Sequence, residues 1–198
     1  MIKLIMVFLL SLYILPSEGI NRDAVSQHTY KLSLDKKITC LIPIVDLKEG
    51  AVTAGHCITD LKNKGYTEFW GVNEKGTIKL FKLRKHKDAD RGLDYAVFTD
   101  NETGGVEIAK RNDVQKEDLV YMYSNKSGWE TRQVRSVPNN KYESTRAFIK
   151  GSPSDSGKSG SGVYTINGKL WGIFVAITGD PNDPRGVVMP IENILEDV

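Results

Sequence analysis

Gly162-Val163-Tyr164-Thr165-Ile166-Asn167-Gly168-Lys169-Leu170-Trp171-Gly172-Ile173 reads as two apolar, strand-length runs around an Asn-Gly pair. Asn-Gly tolerates the left-handed backbone of a tight turn, so this stretch predicts a β-hairpin. Similar runs extend outward along the chain: 38–45, 67–72, 77–83, 95–98, 119–123, 131–137, 147–149, 170–177 and 187–189. Most are rich in Val, Ile, Tyr, Phe or Thr, the residues that suit a pleated, half-buried surface. Turn signals separate them: Glu74-Lys75-Gly76, residues 101–105, Pro138-Asn139-Asn140 and Asn167-Gly168. Strands of this length and spacing predict an all-β sandwich or barrel.

One segment reads differently. Pro190 is followed by Ile191, Ile194, Leu195 and Val198, at i, i+3, i+4 and i+7, which predicts a C-terminal helix. A shorter helical turn is expected around Ile58 to Leu61. No internal repeat or flexible linker interrupts the pattern, and residues 101–105 mark the midpoint between two lobes.

Composition narrows the class. The 198 residues are 40% hydrophobic and 26% charged, the balance of a globular chain. Lys and Arg number 27 against 25 Asp and Glu, a net charge of +2, which makes no electrostatic case for nucleic-acid binding. Two Cys exclude a disulfide-dense scaffold and a four-Cys zinc site. The chain opens Met1-Ile2-Lys3, continues apolar from Leu4 to Leu15, then reads Pro16-Ser17-Glu18-Gly19. A basic start, a short apolar core and small residues near Gly19 predict a secretory signal peptide over residues 1–19. The run is too short for a membrane span of about 20 residues. Export to an extracellular or periplasmic space would let Cys40 and Cys57 pair, a bridge worth roughly 3 kcal/mol on chain-entropy reasoning.

Three local patterns carry chemistry. In Val52-Thr53-Ala54-Gly55-His56-Cys57, small residues let the imidazole stand clear of the backbone. Neither His28 nor His86 has such a setting. In Asp94-Tyr95-Ala96-Val97-Phe98 a carboxylate leads an apolar strand, and a buried carboxylate needs a partner such as an imidazole N–H. In Ser156-Gly157-Lys158-Ser159-Gly160-Ser161-Gly162 a Gly two residues before a Ser permits a turn that aims backbone N–H groups into one concavity, where they can hold an oxyanion.

The order His56, Asp94, Ser159 is the chain order of the chymotrypsin-type triad. Thr-Ala-Gly-His-Cys at 53–57, Asp-Tyr-Ala-Val at 94–97 and Gly-Lys-Ser-Gly at 157–160 resemble the signature blocks of chymotrypsin-fold serine proteases. The third block, with Ser161 and Val163, is similar to the bacterial glutamyl-endopeptidase-type branch. The resemblance spans about residues 38–189. It implies two packed six-stranded antiparallel β-barrels with a C-terminal helix: residues 20–105 carrying His56 and Asp94, and residues 106–198 carrying Ser159. It implies Ser159 as nucleophile, His56 as general base and Asp94 as its orienting carboxylate, with the N–H groups of Gly157 and Ser159 as the oxyanion hole. It also matches Cys40 with Cys57 as the family's disulfide beside the catalytic His. No metal or organic cofactor is called for. The expected partners are protein or peptide substrates, met as a monomer away from nucleic acid and membrane.

The pattern departs from the family in places. Lys158 stands directly before Ser159, where trypsin-like enzymes carry an Asp that receives a new N-terminus; a Lys cannot accept an ammonium group, so that switch is expected to be absent. Pro153, six residues before Ser159, is not the Asp that gives a basic preference. Phe174 replaces the substrate-reading His of glutamyl endopeptidases, and Val175 the supporting Ser. Ser154, Asp155, Val175 and Ile177 are expected along the primary pocket, with an uncharged residue before the cut and Asp155 kept as a candidate reader of a basic one. Pro43 removes a backbone donor on the leaving side. The tripeptides at 101–103 and 125–127 fit the N-glycosylation pattern, which chance also produces. Two other readings remain: an inactive protease-fold binding protein, and a structural β protein.

Overall fold

The computed structural model describes residues 20–33, 43–47, 50–90, 92–99, 104–124, 126–138 and 145–198. The expected leader, Cys40, and the Asn of each glycosylation tripeptide lie outside them. Twelve strands close into two six-stranded antiparallel barrels. The first takes β1 (Thr29–Ser33), β2 (Pro43–Leu47), β3 (Gly50–Thr53), β4 (Glu68–Val72), β5 (Ile78–Asp90) and β6 (Leu93–Thr99), in the spatial order β1-β2-β3-β6-β5-β4. The second takes β7 (Leu119–Ser124), β8 (Gly128–Ser136), β9 (Ala147–Lys150), β10 (Gly162–Tyr164), β11 (Leu170–Asp180) and β12 (Asp183–Pro190), in the order β10-β11-β12-β9-β8-β7. Short helices frame them: α1 (Arg22–Gln27), α2 (Thr59–Asn63) and the C-terminal α3 (Ile191–Asp197). No helix among the described residues is long and apolar enough to cross a membrane.

The apolar runs are near-continuous because several strands are buried on both faces. Successive side chains of a strand point to opposite sides. Along β6, Ala96 and Phe98 enter the first barrel with Tyr30, Leu32, Ile44, Phe69 and Phe81, while Tyr95 and Val97 face the other barrel. Along β11 the register against β10 shifts by one residue at Trp171, so Trp171 and Phe174 both enter the second barrel, whereas Ile173 and Val175 join Tyr95, Val97, Val52 and Ala54 between the barrels. Ile191 and Ile194 of α3 close the same interbarrel cluster, but Leu195 of the expected stripe is 42% exposed.

The Asn167-Gly168 hairpin forms, with Gly168 at φ +78°. Its loop runs from Thr165 to Lys169, closed by the Thr165 N–H on the Lys169 carbonyl at 2.9 Å. Two strands, β1 and β3, had no strand signal of their own. β1 is Thr-Tyr-Lys-Leu-Ser, buried because it closes the barrel between β2 and β4. β5 runs to Asp90, well past the apolar run ending at Leu83, because β6 pairs with it through two register shifts.

Candidate active site

His56 sits in a single 3-10 turn, Gly55–Cys57, that leaves the end of β3. The turn presses against the first barrel so closely that a Cβ on Gly55 would lie 1.8 Å from the Lys87 carbonyl oxygen, so only glycine fits before the histidine. Asp94, the second residue of β6, is 6% exposed. Its Oδ1 accepts the backbone N–H of His56 at 2.9 Å and its Oδ2 lies 2.7 Å from Nδ1 of the same residue. One carboxylate therefore holds both the backbone and the ring of His56, fixing which ring face and which nitrogen look outward.

Hydrogen bonds from its ring to Asp94 and to Cys57 hold the His56 imidazole protonated well above its usual range, to about 10, against the opposing effect of burial. Among the described residues Cys57 is a free cysteine, and its Sγ lies 3.6 Å from Nε2 of His56. The sulfur faces the imidazole, and Cys40 is outside the described residues. Sequence reasoning passed over His86. Its Nε2 lies 3.0 Å from the Gly55 carbonyl and 3.1 Å from Oγ1 of Thr59, whose hydroxyl reaches Asp88 Oδ2 at 2.7 Å. His86 thus braces the His56 turn from β5; it lies in a polar Arg-Lys-His-Lys stretch with no signal marking it.

Ser159 lies on the second barrel, in the loop between the 3-10 turn Pro153–Asp155 and β10. Its hydroxyl donates to the Val175 carbonyl at 3.1 Å, and no hydrogen bond joins it to His56. The N–H of Lys158 is spent on Asp155 O (3.1 Å), that of Gly160 on Phe174 O (2.8 Å) and that of Ser161 on Lys158 O (3.1 Å). Among the described residues, the N–H groups of Gly157 and Ser159 have no acceptor. Gly157 adopts φ +78°, a left-handed conformation that turns this short run. Two unspent donors two residues apart are what an oxyanion site needs. Ser161, the other serine of this glycine-rich run, is fully buried.

Of the expected pocket residues, Asp155 and Val175 are buried. Asp155 is 1% exposed; its Oδ1 takes Arg132 Nη2 at 2.6 Å and Lys158 Nζ at 2.9 Å, and its Oδ2 takes the Ser152 N–H at 2.7 Å. A carboxylate so engaged cannot read a substrate side chain. Val175 is 3% exposed and packs between the barrels, contributing its carbonyl rather than its side chain. Ile177 packs partly against the second core, and Ser154 is exposed.

No family model and no curated protein matches the chain. Solved structures do. An HtrA-type protease, AlgW with a decapeptide, superposes with a TM-score of 0.62 at 14% identity over 88% of this chain and 64% of that one. AlgW with a tripeptide gives 0.63 at 16% identity, over 88% of this chain and 60% of that one. This chain spans about three fifths of those proteins' length and shares their two-barrel fold.

Proposed function

We propose that this chain is a serine endopeptidase that is exported after removal of residues 1–19. What carries the reading is the grip of Asp94 on His56, by ring and by backbone. The serine-protease fold of the solved neighbours supports it, as do the two free N–H groups flanking Lys158. The peptides held by those neighbours fit a peptide substrate. The Gly-Lys-Ser-Gly-Ser run at 157–161 is the feature that favours a glutamyl-endopeptidase-type branch.

In the reaction, the Ser159 hydroxyl leaves Val175 O and turns to Nε2 of neutral His56. Its Oγ attacks the scissile carbonyl carbon while its proton passes to Nε2. The carbonyl oxygen, now anionic, receives the N–H groups of Gly157 and Ser159. Collapse breaks the C–N bond, and Nε2 returns the proton to the departing amine. Water then repeats the sequence on the acyl-enzyme. Asp94 stabilises the imidazolium without taking its proton.

A second reading, an inactive protease-fold binding protein, draws on two observations: the Ser159 hydroxyl is held by Val175, and the imidazole favours its charged form. A peptidyl phosphonate separates the two. Stoichiometric labelling of the wild type, lost in Ser159→Ala, supports the protease; no labelling of folded wild type supports the binding protein.

A further inference from the structure

The residue before the nucleophile is a buried cation. The Lys158 side chain is 2% exposed, and its Nζ donates to Asp155 Oδ1 at 2.9 Å and to Glu130 Oε1. Arg132, two residues beyond Glu130 on β8, donates to Asp155 Oδ1 at 2.6 Å and to Glu130 Oε2. Two cations and two anions thus form a closed, charge-balanced cluster. Balance matters because a buried charge without its partner costs several kcal/mol. Burial works to raise the Glu130 carboxyl, yet the Lys158 and Ser127 hydrogen bonds and the Arg132 charge outweigh it and hold the group below its ordinary value.

The cluster ties the loop bearing Ser159 to the β7–β8 hairpin. Lys126 of that hairpin adds a third tie, with Nζ on the Ser156 carbonyl at 2.8 Å. Within the loop, Asp155 fixes one end through the Ser152 N–H and through its own carbonyl on the Lys158 N–H. With Lys158 pinned by backbone and side chain, the peptides on either side cannot rotate freely. The peptide after Lys158 carries the Ser159 N–H, and the Ser156–Gly157 peptide, whose carbonyl takes Lys126 Nζ, carries the Gly157 N–H.

We propose that Lys158 is a positioning residue: its latch to Asp155 and Glu130 aims the Gly157 and Ser159 N–H groups at the developing oxyanion. The oxyanion site is thereby set from within the second barrel, without an ammonium group from the chain's N-terminus. This rests on the protease reading above. Lys158 itself touches no substrate, so its removal acts on the transition state and spares ground-state binding.

The test measures kcat, KM and the affinity of a peptidyl boronic acid, which forms a tetrahedral adduct, for the wild type, Lys158→Met, Lys158→Arg and Glu130→Gln. Lys158→Met is expected to lower kcat by about 100-fold, the scale of one lost oxyanion donor, with boronate affinity falling in parallel and KM within about threefold. Lys158→Arg, which keeps the charge, is expected to recover most of the loss. Glu130→Gln is expected to lie between Lys158→Met and the wild type, and it carries the test if Lys158→Met does not fold. Wild-type kcat and boronate affinity in the folded variants would overturn the proposal while leaving the protease reading intact. So would losses of KM and boronate affinity in equal measure, the mark of a merely structural role. A wild type inert to both boronate and phosphonate would overturn the protease reading and this proposal with it.

Discussion

The hydroxyl of Ser159 donates to the carbonyl of Val175 at 3.1 Å. That contact crosses from the Ser159 loop to β11, the strand whose neighbouring residue, Phe174, receives the Gly160 N–H at 2.8 Å. The loop is thus docked on β11 by two consecutive carbonyls. Meanwhile Nε2 of His56 has the Cys57 sulfur as its neighbour. On the protease reading, each partner of the proposed proton transfer rests on another group and must be released before it. Cys57→Ala frees Nε2. We expect it to label faster than the wild type with a peptidyl phosphonate at pH 7; a slower rate would count against the resting arrangement.

The pH dependence follows from the same contacts. A general base must be neutral, and the Asp94 and Cys57 hydrogen bonds keep His56 charged to about pH 10. The kcat/KM of the wild type should therefore climb with pH through the alkaline range. Cys57→Ala should move that limb to lower pH. Asp94→Asn should move it further and lower the plateau by on the order of 10⁴-fold. Stability runs the other way. The folded state favours the imidazolium, so the contribution of His56 is full below its unfolded value of 6.5 and fades as pH rises toward about 10. The gap in urea midpoint between wild type and His56→Ala should shrink between pH 6 and pH 10.

Gly157 lies at φ +78° with open space where a Cβ would stand. Gly157→Ala therefore meets no clash; it meets a left-handed backbone that costs an L-residue about 1–2 kcal/mol. The loop is expected to relieve that strain by turning its N–H away, lowering kcat about 10- to 100-fold with KM nearly unchanged. Steady-state kinetics on a peptide substrate check this, with a melting curve to confirm the fold.

Gly55→Ala is a different kind of change. Its Cβ would sit 1.8 Å from the Lys87 carbonyl and 2.9 Å from the Tyr95 nitrogen, both backbone atoms that cannot swing aside. Urea unfolding should show a loss of about 3 kcal/mol, the upper range of overpacking. The His56 turn should leave Asp94, and phosphonate labelling should vanish with it.

Lys79 and Asp46 form a buried pair, Nζ to Oδ2 at 2.9 Å, with side chains 4% and 2% exposed. Asp46→Ala removes the carboxylate of the buried pair and should cost about 3–5 kcal/mol. Lys79→Met with Asp46→Leu should recover much of it, because removing both charges also removes their desolvation cost. Chemical denaturation of both variants decides the point.

Much of the barrel architecture was legible because it rests on local chemistry: apolar strand-length runs, turn residues such as Asn167-Gly168, and the stripe of Ile191 and Ile194. β1 and β3 were not, because their burial comes from partners far along the chain. The candidate site divides the same way. Sequence order and residue type determined which imidazole, carboxylate and hydroxyl to consider, since Gly55, Gly157 and Gly160 mark turns that only short-range backbone geometry requires. Which carboxylate holds the imidazole and which is consumed in an ion-pair cluster was decided by folding alone. Asp155, chemically indistinguishable from Asp94 in the sequence, lost its freedom when the β7–β8 hairpin brought Arg132 beside it and Lys158 folded onto it. Electrostatic attraction at under 3 Å acts between residues that the chain separates by tens of positions, and closure of the barrels determines which of them meet.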